Sequence, residues 1–187
     1  MWVSPKPWKK HHYFSDKFLT FPKIFFMLKK ILLGIVVVLV LAQFIRPTRN
    51  ISETPSPNHI SKAYPVPADV EAIFNKACND CHSNNTVYPW YASIQPVAGW
   101  LDHHIDEGKG ELNFDEFITY KPKKAHHKLE EVNEMVKEGE MPLESYTWIH
   151  KDAKLTQEEK LIVANWTVAT MDSIEKKFPE VLVPTKR

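Results

Sequence analysis

The sequence predicts a mainly α chain, with one N-terminal membrane-spanning helix followed by a single small helical domain. Three observations carry this. An uncharged apolar run, ILLGIVVVLVLAQFI from Ile31 to Ile45, stands near the N-terminus of a chain of 187 residues. Beyond it, apolar residues recur at helical spacing and show no sustained period-two alternation, so few strands are expected. Hydrophobic residues make up 43% of the chain, enough to build a core. Composition also excludes several functions. Lys+Arg 24 against Asp+Glu 23 gives a net charge of +1, without the basic excess of a dedicated nucleic-acid binder. Only 5 glycines are present, in no phosphate-loop pattern. Two cysteines are too few for a disulfide framework or an all-thiolate zinc site.

Residues 1–23 read as a cytoplasmic tail carrying Lys6, Lys9, Lys10, Lys17 and Lys23. Residues 24–45 read as the membrane anchor. The uncharged run falls short of the ~20 residues a span needs, and counting back through Lys29 and Lys30 to Ile24 supplies the length. Those lysines sit at its edge and can snorkel their amines to the interface. Lysines before the anchor, against only Arg46 and Arg49 soon after it, orient the chain by the positive-inside rule. The tail lies inside, and the rest faces the periplasmic side of a bacterial inner membrane. Two alternatives also export the rest. Val40-Leu41-Ala42 suits signal-peptidase cleavage after Ala42, and Met27-Leu-Lys-Lys resembles a start, which would make residues 1–26 an upstream extension.

Residues 46–66 hold Pro55, Pro57 and Pro65 among Ser, Thr and Asn, with Pro67 just beyond, and read as an extended linker on which the domain can swing. Residues 67–176 form the domain. Val70, Ile73, Phe74 and Ala77 make one face of a helix over Ala68–Ala77, with Pro67 at its start. Leu129, Val132, Met135 and Val136 do the same for Lys128–Glu138, which Gly139 stops. Thr156-Gln-Glu-Glu159 is a capping box opening a helix to about Lys176, with Ile162, Trp166 and Ala169 on one side. Ser83–Lys124 reads as loops with one or two short helices, and residues 177–187 as a tail.

The chemistry lies in Cys78-Asn-Asp-Cys81-His82, the c-type haem attachment pattern. Two thiols at this spacing can both reach one porphyrin edge and form thioethers with its vinyl groups. The adjacent imidazole then serves as an axial iron ligand. A zinc knuckle would need four ligands, and no second such pair follows. A thioredoxin-like site would need a βαβ context. A plain Cys78–Cys81 disulfide closes only a tiny loop. Asn79 and Asp80 fill the variable positions. Met141, in Gly139-Glu-Met141-Pro142, is the candidate sixth ligand, its soft thioether favouring ferrous iron. Met135 and Met171 read as core. His103, His104, His126, His127 and His150 compete, and adjacent histidines cannot both face one iron. Gly110–Glu116 resembles the end of a calcium loop, but Ile105 and Lys109 stand where oxygen donors belong. The aromatics Tyr88, Trp90, Tyr91, Trp100 and Trp166 can wall a haem or fill a core.

The run from Cys78 through Ser83-Asn84-Asn85-Thr86-Val87-Tyr88-Pro89-Trp90-Tyr91 resembles the start of the bacterial haem-binding domain family related to cytochrome c. Pro96-Val97, Trp100, Gly108 with Leu112-Asn113-Phe114, Met141-Pro142-Leu143, Tyr146, His150, and Leu155 leading into the Trp166 helix continue the likeness over about Val66–Met171. The single N-terminal anchor is also similar. The resemblance implies one covalent haem c and a class I cytochrome-like fold in which the first and last helices pack together. One departure is the long interval from His82 to Met141, with an insert-like loop around Trp100–Lys124. The expected function is one-electron transfer by an anchored c-type cytochrome, without substrate turnover, between redox proteins whose identity the sequence does not give. The alternatives are a five-coordinate haem sensor or peroxidase-like enzyme using His103 or His104, and a haem-free exported domain.

Overall fold

The computed structural model describes residues 21–182, with side chains from Ile24 onward. The expected cytoplasmic tail, apart from its last residues, and the final residues 183–187 lie outside this range. The described residues are mainly helical and contain no strand. The chain divides into two compact units at Ile45/Arg46.

The first unit carries helix α1, Phe21–Ala42. Its 19-residue segment Ile24–Ala42 is long and apolar enough to cross a membrane, and none of it is buried by protein. A core helix of this composition would hide one face.

The second unit is built around three helices. α2 (Ala68–Ala77) contributes Val70, Ile73 and Phe74 to the core, as its periodicity predicts. α5 begins at Pro122, not Lys128, and runs to Glu138. Proline at the first position costs no hydrogen bond there, and Ala125 extends the buried face of Leu129 and Val136. Gly139 ends α5 with φ 83°, a left-handed conformation that glycine adopts without strain. α7 (Gln157–Lys177) opens on the expected capping box, Thr156 with Glu159. Its buried face is Val163, Trp166, Thr167, Thr170 and Ile174. That face differs from the Ile162–Trp166–Ala169 side, because two threonines sit inside with their hydroxyls donating to the carbonyls of Ala164 and Trp166. Asn133 of α5 adds an interior amide, donating to Ala164 O at 2.9 Å and Thr167 Oγ1 at 2.6 Å. Met135 is exposed rather than core, while Met171 packs on the core's edge.

The first and last domain helices meet as expected. Phe74 stacks on Phe114 at 4.6 Å and meets the Trp166 ring edge-on at 5.1 Å. Lys76 at the end of α2 pairs with Glu159 at the start of α7, 2.5 Å apart.

Three expectations about chain connections are corrected. Residues 46–66 are not a free spacer. Ile60 is fully buried, Pro65 O accepts the Trp166 indole N–H at 2.9 Å, and Ser56 Oγ donates to Asp115 O at 2.5 Å. Prolines remove backbone donors here, yet side chains and carbonyls bind the segment down. The region read as an insert-like loop contains α4, Val97–Glu111, and a 3-10 turn over Phe114–Thr119 that buries Phe114 and Phe117. Weak amphipathicity hides α4 in the sequence, since it buries only Ala98 and Ile105. The C-terminal tail continues the fold to Leu182, with Val181 in the core.

Candidate functional site

α2 ends at Cys78, which caps it and opens a single helical turn, α3 (Asn79–His82). Cys78 N donates to Phe74 O, and Cys78 O accepts from the amides of Cys81 and His82 at 3.1 and 2.9 Å. The core contact of Phe74 therefore fixes the start of the turn. Cys78 and Cys81 are free thiols. Burial, with the neighbouring Cys81, pushes the Cys78 thiol up to about 12. Burial, with Asp80, pushes Cys81 up to about 11. Burial thus favours the S–H form of both. Among the described residues no group of three or more His, Cys, Asp or Glu could hold a metal ion.

His82 sits with its Nδ1 3.0 Å from Leu112 O. Burial lowers its pKa, outweighing the carbonyls of Leu112 and Gly108 beside the ring. The ring is thus neutral, Nδ1 carries the proton it donates to the carbonyl, and Nε2 keeps a lone pair. The Leu112 carbonyl is held in turn. Asn113 caps the following turn, its Nδ2 donates to Asn84 Oδ1 at 2.8 Å, and Asn84 N donates to Asp115 Oδ2 at 2.7 Å. The loop after His82 and the segment after α4 are sewn together around the imidazole. Helix α4 also approaches the turn closely. A Cβ on Gly108 would lie 2.7 Å from Cys81 O and 3.0 Å from Cys81 Cβ.

Asp80, which the sequence leaves without a role, is a node. Its Oδ1 accepts from Val87 N at 2.9 Å and its Oδ2 from Tyr146 OH at 2.7 Å, while its carbonyl accepts from Thr86 Oγ1. Burial, then the hydrogen bond to Asp80, raises the Tyr146 pKa. Tyr146 lies in α6, Glu144–Thr147, and stacks on His150 at 4.2 Å with its ring nearly parallel. His150 Nε2 is 2.6 Å from Tyr91 OH. Met141 follows Gly139 in the turn between α5 and α6, partly exposed, its amide donating to Met135 O at 3.2 Å. The Tyr146–Asp80 bond ties the segment after Met141 to the cysteine turn.

The other histidines are placed elsewhere. His103 and His104 both face Glu107 on α4, His126 pairs with Glu175, and His127 pairs with Glu130 and Glu131. Of the five competitors, His150 reaches the cysteine turn through Tyr146, and His104 stands one turn before Gly108 on the helix that packs against it. The aromatic set divides. Trp166 belongs to the core, Tyr91 to the Tyr146–His150 network, and Trp90 and Trp100 are exposed. Asn50 was hidden in the presumed spacer. Its Nδ2 donates to Ser83 O and Thr86 Oγ1, both at 2.9 Å, and Lys109 Nζ donates to its Oδ1 at 2.5 Å. Nothing in a Pro- and Ser-rich stretch marks such a residue. An open groove beside it is lined by Arg49, Asn84, Asp102, Asp106 and Lys109, with neither cysteine in its lining.

Residues 37–169 match the sequence model of a family described as Haem-binding domain. No curated protein and no solved structure gives a significant match. The matched span begins inside α1 and includes residues 46–66 (the strap), the cysteine turn, the Leu112–Asp115 segment, the Met141 turn and most of α7. Taken with that coverage, the chain belongs to the haem-binding domain family.

Proposed function

We propose that the chain is a membrane-anchored c-type cytochrome, of class I-like fold, that carries single electrons on the periplasmic side of a bacterial inner membrane. The observation that carries this reading is the donor set on α3. Two free thiols lie three residues apart beside an imidazole whose Nδ1 is tied to Leu112 O, which leaves Nε2 as the nitrogen available to a metal. These residues fit haem. A neutral thiol can add its S–H across a vinyl double bond, sulfur to one carbon and hydrogen to the other, with no oxidant. A carbonyl bonded to the far ring nitrogen orients a metal-ligating histidine and raises its basicity.

Haem, when bound, supplies a one-electron couple at its iron. Cys78 and Cys81 would hold haem at the end of α2 through two thioethers. His82 Nε2 would ligate the iron, with the Leu112 carbonyl fixing its tautomer. Met141 Sδ would be the second iron ligand, and the Asp80–Tyr146 bond steadies the segment that follows it. The α1 helix anchors the domain in the bilayer, with membrane redox proteins as partners.

The test is spectroscopic. Protein co-expressed with a cytochrome c maturation system is expected to be six-coordinate and low-spin in both oxidation states. Met141→Ala is expected to lose the low-spin form or shift the reduction potential downward. An unchanged spectrum and potential in Met141→Ala would remove Met141 as a ligand. A five-coordinate high-spin parent would replace electron transfer by ligand chemistry.

A further inference from the structure

We propose that the segment Val87–Trp100 is a lipid-facing surface that rests in the headgroup layer of the bilayer holding α1. The proposal rests on the reading of α1 as a membrane anchor.

Chain length is the first argument. α1 ends at Ala42, and by Arg46 the chain already belongs to the haem-binding unit. Four residue steps reach at most about 14 Å, even fully extended. Arg46 donates to Ser93 O, and Arg49 donates to Ser93 Oγ at 2.9 Å while its guanidinium covers the Tyr88 ring at 4.9 Å. Past that point, Asn50, Ser56 and Pro65 fasten the strap to the domain. The tether is therefore three residues, Gln43–Ile45, rather than the long spacer the prolines suggest. A tether of that length allows Ser93 to lie at the membrane surface, since the headgroup layer is itself about 5–8 Å deep on each side of the hydrocarbon.

Surface chemistry is the second argument. Around Ser93 the chain exposes Val87 (77%), Trp90 (79%), Ile94 (45%) and Trp100 (47%). Val87 and Trp90 bury little within the protein, and Ile94 and Trp100 are about half exposed. Tryptophan is enriched at the membrane–water boundary, where its indole is apolar on one side and a donor on the other. Arg46 and Arg49 flank the same patch, and guanidinium groups suit lipid phosphates. Asp102 shares their groove, so the patch is only mildly basic and its binding depends on apolar insertion more than on anionic lipid. The partner is the bilayer surface. Its effect is to fix which side of the domain faces membrane-embedded redox proteins.

The experiment uses full-length, haem-loaded protein in nanodiscs of phosphatidylcholine and phosphatidylglycerol. In that protein the thioethers consume Cys78 and Cys81. A single environment-sensitive fluorophore is placed at Trp90→Cys, Ile94→Cys, Val37→Cys within α1, or Leu161→Cys on α7, which packs on α2 and α5. Lipids carrying a nitroxide near the headgroup, or deep in the chain, are the quenchers. The expected result is fluorescence loss at positions 90 and 94 with the shallow quencher and at 37 with the deep one, with position 161 unaffected. Positions 90 and 94 behaving like 161 while 37 is quenched would overturn the surface and leave the anchor. No quenching at 37 would overturn the anchor and the surface with it.

Discussion

Gly108 and Gly110 lie two residues apart in α4, and alanine should act in opposite directions at them. In a helix interior, alanine is favoured over glycine by about 0.8–1 kcal/mol. At Gly110 a new Cβ meets nothing within 4 Å, so Gly110→Ala should keep that gain, reduced because the residue sits in the last turn. At Gly108 the new methyl would lie 2.7 Å from the Cys81 carbonyl oxygen. That oxygen is backbone, and α3 is held by its bonds to Cys78, by Asp80 and by the Asn84–Asp115 link, so it has little room to yield. Forcing one extra carbon into a packed position costs about 1–3 kcal/mol. Gly108→Ala should therefore be destabilised by up to about 2 kcal/mol after the helix gain is credited. The assay is urea unfolding of the full chain in detergent, followed at 222 nm and by haem absorbance, with both variants beside the parent. Gly108→Ala should also move the turn against Leu112 O and so perturb the haem spectrum, which Gly110→Ala should leave unchanged. Equal or greater stability for Gly108→Ala, with an unaltered spectrum, would refute the close approach of α4 to the cysteine turn.

Three further outcomes are expected. Tyr146→Phe removes the donor to Asp80 Oδ2, and a hydrogen bond to a charged group is worth about 1.5–3 kcal/mol. The loss should appear in unfolding and as broadened signals for residues 141–150 by NMR, and neither change would remove the bond as a clamp. Thr156→Ala breaks the α7 capping box and should cost about 1 kcal/mol in the same unfolding assay. The hydrogen bond from Lys76, then the amide of Thr156, holds the Glu159 carboxyl below its ordinary range. A group depressed in the folded state stabilises above its unfolded pKa and loses that contribution as pH falls through the folded value. Lys76→Met should therefore lower stability at neutral pH and flatten its decline on the acid side of the glutamate range. An unchanged pH profile would show that the Lys76–Glu159 pair does not act.

The helical class, the α2 stripe, the α7 capping box and the cysteine turn are all legible in the sequence, because each depends on local spacing. The α2–α7 contact follows from resemblance rather than from any residue pattern. What spacing cannot reveal is polar chemistry that closes over distance. Thr167 and Thr170 read as a polar interruption of α7, yet their hydroxyls bond back to their own helix and so become interior. α4 escapes detection because it is half exposed and buries only Ala98 and Ile105. The strap 46–66 misleads most. Proline density signals extended backbone correctly, but extension does not mean freedom, and Ile60 and Asn50 lie bound within the domain. Asp80 looks like filler in the motif because its partners, Val87 and Tyr146, are brought to it only by the fold.

The most direct measurement is the intact mass of the full-length protein made alongside a working cytochrome c maturation system, after denaturation and acid extraction of loose haem. The account predicts one haem retained covalently on the parent and none on Cys78→Ala/Cys81→Ala. A parent that carries no haem, while a control cytochrome matures normally, would contradict covalent attachment at the cysteine turn and with it the central claim.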